Sequence, residues 1–512
     1  MRLYYLIDSL GLVFSAIGIM SFLPCFVALI YGDMFSLILF AILGFITFLI
    51  GQLMHRLTPS ERLLNLKKTE ALAIVLLSWV SFWLISTVPF LLYGLNPINA
   101  LFEAISGITS CGATILTKYD FPKTFFFYRA YIQWLGGMGI IILFTAVLPQ
   151  FAVAGRQMFF AEAPGSREEN LTPRIKYTAS ALWGLYVGLT SLQIILLNVT
   201  GLKLFDAICI SLATISAGGF SPLASSVGGY HSMICNWICI LFMFIAGCNF
   251  ALMHKAIVKK DPALMIKNEE FRFYFLFVSI ICLILAGLLF LSENSITFKT
   301  FTDAVFSTIS IITSTGHTTA DFGIWSHQAL ALLFCTTVVG SCAGSCGGGI
   351  KIIRAIICFK YLKSEITKIL HPNAVINIKI DNNVVSKEVR RQVLTFIVFY
   401  FIIFMISVFV ATLIENNLVV GLSGSVSTLG LIGVGAGSII GPSEGFNSLQ
   451  PATKLLFMFN MLIGRLEIVP VIVLLNKDFW KLSKQWYFLA CFANARKDNN
   501  YPLKSKLMPA RK

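Results

Sequence analysis

Long apolar runs dominate the chain. Leu10–Ile30, Phe35–Met54, Ala71–Tyr93 and Val393–Ile414 each approach or exceed the roughly 20 residues that a helix needs to cross bilayer hydrocarbon. The pattern predicts an all-α polytopic membrane protein. A second pattern lies between these runs: a segment too short to cross a bilayer, then a Ser/Thr-rich step into glycine, then another apolar run. The steps read T-S-C-G-A at 109–113, A-T-I-S-A-G-G-F-S at 213–221, T-S-T-G-H at 313–317 and, more loosely, L-I-G-V-G at 431–435.

The unit therefore reads span, short half-helix, glycine-rich extended stretch, span. Four copies in the same orientation are expected at 71–148, 178–254, 272–363 and 391–475, the third with a broken second span. An N-terminal helical pair and a cytoplasmic loop occupy 1–70, and a basic tail fills 476–512. Four parallel copies of one unit imply a pseudo-fourfold axis along the membrane normal. An acid precedes three of the glycine words: Glu103, Asp206 and Asp303. The expectation is that each caps its short helix, because a helix N-terminus favours a carboxylate. With Asp321, these acids would also concentrate cations at the outer mouth.

Composition sharpens this picture. Of 512 residues, 57% are hydrophobic and 12% charged, about half the charged fraction of a soluble domain. The formal net charge is +15, and Lys and Arg gather in 55–69, 150–177, 254–272, 351–391 and the tail from Lys477. These loops are assigned to the cytoplasm and the glycine words to the opposite side. No basic soluble face suits nucleic acid. The first run lacks a clear cleavage site and is expected to stay as a helix. Most of the 12 cysteines lie inside apolar runs as small hydrophobes, and Cys342 and Cys346 are spaced too widely for a Cys-x-x-Cys metal knuckle. No cofactor or resident metal is expected.

Non-helical backbone at membrane depth must be buried in protein or line water. Four half-helices meeting at one axis satisfy this together, with their peptide oxygens on a shared narrow path. Helix C-termini are negative, and rings of carbonyls can replace the hydration shell of potassium. Glycine allows backbone angles at which a Cβ would clash. The expected potassium-binding residues are Ser110, Cys111 and Gly112; Ser216, Ala217 and Gly218; Ser314, Thr315 and Gly316; and Leu431, Ile432 and Gly433.

A glycine-dense break follows in the third copy. Gly340, Gly344, Gly347, Gly348 and Gly349 fall within one apolar run, and each costs about 1 kcal/mol in a helix interior. The break reads as a movable obstruction, with Gly344, Gly347, Gly348 and Gly349 as gate residues. Lys351 stands next to it, near enough to face the pore, and Arg354 either snorkels to the interface or stays near the break. Arg465 lies midway along the run Lys454–Leu475, where a charge is costly and usually faces a cavity. Glu467 is turned away from Arg465 on a helix and is expected to pair with a basic group elsewhere.

Together with G-S-C-A-G-S-C-G-G-G-I-K-I-I-R at 340–354 and G-R-L-E-I at 464–468, the glycine words resemble those of Trk-type potassium uptake proteins, the TrkH/TrkG/KtrB superfamily. The resemblance runs over nearly the whole chain. It implies potassium uptake across the bacterial inner membrane, a homodimer and a cytosolic nucleotide-binding partner of the TrkA type. It also implies that the 340–354 loop gates conduction and that Arg465 acts beneath the filter. The chain departs from the family at Cys111, Ala217, His317 and Val434, but backbone carbonyls survive such side-chain changes. The alternative is a secondary carrier for another cation or small solute. Many carriers use inverted repeats, whereas the half-helices here all enter from one side. No hydrolase or metalloprotease word supports an enzyme.

Overall fold

The computed structural model describes residues 3–57, 68–142, 171–293, 297–374, 376–437, 439–442, 444–468 and 471. The basic tail 476–512 and most of the basic loops 55–69 and 150–177 lie outside the described residues.

The chain opens with α1 (Leu3–Met20), α2 (Leu23–Tyr31) and α3 (Met34–Arg56). Small residues let α1 lie against α3. A Cβ on Gly18 would collide with the Phe48 backbone, and one on Gly51 with Ser15 and the Gly11 carbonyl. Such glycine contacts bring membrane helices within van der Waals range where lipid gives no hydrophobic drive.

Next come α4 (Lys68–Leu92), the short α5 (Pro97–Ile108) and α6 (Lys123–Ile142). Then follow α7 (Leu171–Val199), the short α8 (Leu204–Ile215), and α9 (Met233–Ala246) with α10 (Phe250–Lys259). A short α11 (Ala263–Lys267) leads to α12 (Glu269–Glu293), α13 (Phe298–Ile312), α14 (His327–Thr336) and α15 (Ile352–Leu370). The last group is α16 (Lys387–Glu415), α17 (Leu418–Leu429) and α18 (Pro451–Leu466). Among the described residues six helices, or seven with one bent pair counted, are long and apolar enough to cross a membrane.

The four short helices α5, α8, α13 and α17 hold 12, 12, 15 and 12 residues. At 1.5 Å per residue they reach only about 18–23 Å, less than the hydrocarbon thickness. Their Ser, Thr, Ala and Gly positions are buried against the spans on either side.

Two expectations change here. The N-caps are Asn96, Lys203, Thr297 and Asn417. Asp206 stands in the first turn of α8, but Glu103 and Asp303 lie further along their helices, past the N-caps. The second return span is also broken, because α9 and α10 meet at 96°. There Asn249 caps α10, accepting from the Ala251 and Leu252 N–H groups at 3.0 Å each.

On the side where α16 begins, a two-stranded hairpin pairs β1 (Lys379–Ile380) with β2 (Asn383–Val384). Its turn residue Asp381 accepts from Glu269 N and Asn268 Nδ2, both at 2.7 Å, and so closes the start of α12.

Candidate functional site

Each short helix ends in the same way. Thr109, Ser216, Thr313 and Gly430 are the helical C-caps. The next residue is left-handed: Ser110, Ala217, Ser314 and Leu431 have φ of 53°, 53°, 54° and 59°. Two residues further on, Gly112, Gly219, Gly316 and Gly433 have φ of 85°, 76°, 77° and 83°. The intervening residue turns its N–H back onto its helix: Cys111 to Ser106 O at 2.9 Å, and Gly218 to Ala213 O, Thr315 to Ser310 O and Ile432 to Ser427 O at 2.8 Å. Left-handed non-glycine residues cost about 1–2 kcal/mol each, so four in register mark a geometry the surroundings enforce.

This alignment moves the second word by one residue. Ser216 is a helix cap, and Gly219 rather than Gly218 occupies the place of Gly112, Gly316 and Gly433. The sequence offers two adjacent glycines there, and the helix end decides between them.

The four stretches touch in cyclic order. A Cβ on Gly112 would strike the Gly218 carbonyl oxygen, and one on Gly219 the Thr315 carbonyl oxygen. One on Gly316 would strike Ile432 O, and one on Gly433 would strike Cys111 O. The first stretch thus abuts the second, the second the third, the third the fourth, and the fourth the first. This closed ring of carbonyls at Cys111, Gly218, Thr315 and Ile432 is consistent with four parallel copies about one axis. The glycines are required by close approach as well as by φ.

Behind the ring lies a polar scaffold that the sequence reading missed. Gln133 on α6 donates to Gly218 O at 2.6 Å and accepts from Phe220 N at 3.1 Å, which clamps the second stretch. One turn earlier, Arg129 is buried and ion-paired to Glu103 at 2.6 Å. Glu103 also accepts from Ile115 N at 3.1 Å, and Arg129 reaches Ser221 O at 3.3 Å. The pair ties the stretch after the first glycine word to the stretch after the second, and Glu103 is fully buried. Arg129 and Gln133 sit four apart in an apolar run, and this spacing was the available signal. Asp303 does a related job, accepting from Thr319 Oγ1 at 2.7 Å. His317 is buried between Thr214 Oγ1 at 3.1 Å and Ser226 Oγ at 3.4 Å, and so bridges the second and third stretches.

The glycine-dense segment forms an irregular loop between α14 and α15. Gly344 and Gly349 have φ of 72° and 70°. Cys342 N donates to Gly247 O at 3.0 Å, Phe250 N to Gly344 O at 3.3 Å and Ala343 N to Glu270 Oε1 at 2.7 Å. The other flank of the loop lies directly against the ring. Gly348 N donates to Ser314 Oγ at 2.6 Å, and Cβ atoms on Gly347 and Gly348 would collide with Thr313 O and Gly430 O.

Lys351 folds back into this loop. It donates to Ser341 Oγ at 3.3 Å, to Ser345 Oγ at 3.2 Å and to the Gly347 carbonyl. Arg465 joins the loop to the first stretch, donating to Cys346 O at 2.9 Å, Gly136 O at 2.8 Å and Ser110 Oγ at 3.2 Å. Arg354 does not snorkel: it is buried and pairs with Glu467 at 2.5 Å. Among the described residues no cluster of three or more His, Cys, Asp or Glu groups could hold a metal.

The profile of the TrkH family, described as a cation transport protein, matches residues 37–482. The chain belongs to the TrkH family. It is a member of a cation-transporter family rather than an enzyme family. Its similarity to the Trk system potassium uptake protein TrkH of Escherichia coli (strain K12) is 35% identity over 468 residues, 90% of this chain and 95% of that one. The TrkH protein of Vibrio parahaemolyticus is 33% identical over 94% of this chain and 100% of its own. Similarity extends to TrkG of Escherichia coli at 30% identity over 90% of this chain and 94% of that protein. The crystal structure of the potassium transporter TrkH from Vibrio parahaemolyticus superposes with a TM-score of 0.86 at 30% identity, covering 94% of this chain and 100% of that one. This TrkH-family chain is a multi-pass protein of the inner membrane.

Proposed function

We infer that this chain takes up potassium across the bacterial inner membrane, and that the ring of glycine stretches is its filter. The observation that carries the reading is the cyclic contact of Gly112, Gly219, Gly316 and Gly433 with the carbonyls of the neighbouring stretches. Backbone oxygens in such a ring can replace the hydration shell of a monovalent cation. The short helices add the negative ends of their dipoles. The filter residues are Ser110, Cys111 and Gly112; Ala217, Gly218 and Gly219; Ser314, Thr315 and Gly316; and Leu431, Ile432 and Gly433.

The loop bearing Gly344, Gly347, Gly348 and Gly349 is the gate. Its contacts with Ser314 and with Arg465 support this role, since both tie the loop to residues next to the glycine stretches. Lys351 holds the loop in its compact form, and Arg465 latches it to the first stretch at Ser110. The family resemblance supports assembly as a homodimer with a cytosolic nucleotide-binding subunit of the TrkA type.

Uptake of potassium, rubidium and sodium in a potassium-transport-deficient bacterium tests the reading, with and without a TrkA-type subunit. Rescue of growth at low potassium, with rubidium entering and sodium largely excluded, is the expected result. Rescue by none of the three cations overturns the reading.

A further inference from the structure

We propose that a cavity between α15 and α16, remote from the ring, binds the phosphate headgroup of an anionic phospholipid. The cavity is largely open to its surroundings and holds about 650 Å³. Four basic side chains line it: Lys368 on α15, and Lys387, Arg390 and Arg391 on α16. The one acid in the lining, Glu365, is taken up by Lys368 at 2.7 Å. Among the described residues the Arg390 Nε atom is buried with no hydrogen-bond partner. A guanidinium N–H held out of water without an acceptor costs free energy that an oxyanion removes.

The position in the fold favours a lipid. Lys387 begins α16, and α17 follows from the other end of that helix. The basic cluster therefore sits at the end of the span opposite the filter entrance, where the positive-inside pattern puts the anionic cytoplasmic leaflet. The cavity is amphipathic along the span: beyond the four cations, its α16 wall continues into Leu394, Val398 and Phe399. Val398, Ile402 and Met405 then continue along α16 as exposed apolar positions. A headgroup among the cations thus leaves its acyl chains along an apolar helix face. Basic pockets between spans at this level suit acidic headgroups. The chain's own tail from Lys477 carries more basic than acidic residues, so its charge does not complement the cavity. The proposal rests on membrane residence and not on which ion is carried.

Native mass spectrometry of the full-length chain tests it, with phosphatidylglycerol or phosphatidylcholine of matched acyl chains added in detergent. Phosphatidylglycerol should remain bound under activation that strips phosphatidylcholine. In the triple variant Lys387→Gln, Arg390→Gln, Arg391→Gln its apparent affinity should fall roughly a hundredfold. Lys368→Gln alone, on a half-exposed side chain, should cost about fivefold and decides the matter if the triple variant does not fold. Equal retention of the two lipids, or unchanged retention in these variants, overturns the proposal. So does displacement of the lipid by inorganic phosphate at equal concentration, which would make a free anion the ligand. Conversion of a dimer to a monomer in the variants, with lipid binding unchanged, would assign the face to a second copy of the chain and likewise overturn it.

Discussion

The ring and the loop beneath it are both glycine-rich and irregular, yet they are built in opposite ways. The ring is one local design used four times: a short helix, a left-handed residue, one further residue and a left-handed glycine. Most of its hydrogen bonds run back onto its own helix over five residues or fewer. The loop occurs once and, besides the internal bonds of Lys351, is held by distant partners: Gly247 O, Phe250 N, Glu270, Ser314 and Arg465. A structure fixed by local bonds stays rigid when its neighbours shift. One hung from five separate elements can be released by moving any of them. That difference suits the filter proposed for the ring, which must keep its geometry, and the gate proposed for the loop, which must change.

The largest predicted effect breaks the ring from behind. Arg129→Leu leaves the buried Glu103 carboxylate without its cation, which should cost about 3–5 kcal/mol. Thermal unfolding in detergent should show a large drop, while Lys351→Met on the loop should shift it far less.

Arg465→Ala removes the charged donor to Cys346 O, worth about 2 kcal/mol or roughly thirtyfold in the closed-to-open ratio. Rubidium leak measured without a cytosolic partner should rise accordingly, with potassium-over-sodium selection kept. Unchanged leak would detach Arg465 from the gate.

Gly219→Ala tests the register of the second stretch. Strain at positive φ and collision with Thr315 O should lower potassium-over-sodium selection about tenfold or more. Ser216→Ala, at a residue whose hydroxyl bonds Leu212 O and Ala213 O of its own helix, should change selection little. The opposite ranking would restore Gly218 as the equivalent glycine. Gly316→Ser should behave like Gly219→Ala.

The smallest effect belongs to Gln133→Leu. Loss of the bonds to Gly218 O and from Phe220 N, about 0.5–1 kcal/mol each, should lower selection severalfold and leave gating alone.

Much of this site could be read from the chain. Spans, short helices and glycine words are local patterns, and four of them reinforce one another. The intramembrane charges at Lys351 and Arg465 were legible because charge in an apolar run is expensive. Their partners were not legible, since Arg465 bonds carbonyls more than a hundred residues away. The caps were misread for the same reason: Glu103 looked like a helix start, but its partner Arg129 lies on the next span. The bend between α9 and α10 was missed because Gly247-Cys248-Asn249 sits at the end of an apolar run and resembles an ordinary span terminus.

By itself, then, the sequence determined that this chain crosses a membrane several times and carries short helices between its spans, because hydrophobic length and backbone satisfaction are set within each segment. Only the tertiary structure decided which glycine faces which carbonyl, where Glu103 and Glu467 find their arginines, and that the glycine-dense loop presses on the ring. Those contacts join segments far apart in the chain, and their geometry exists only once the helices have packed.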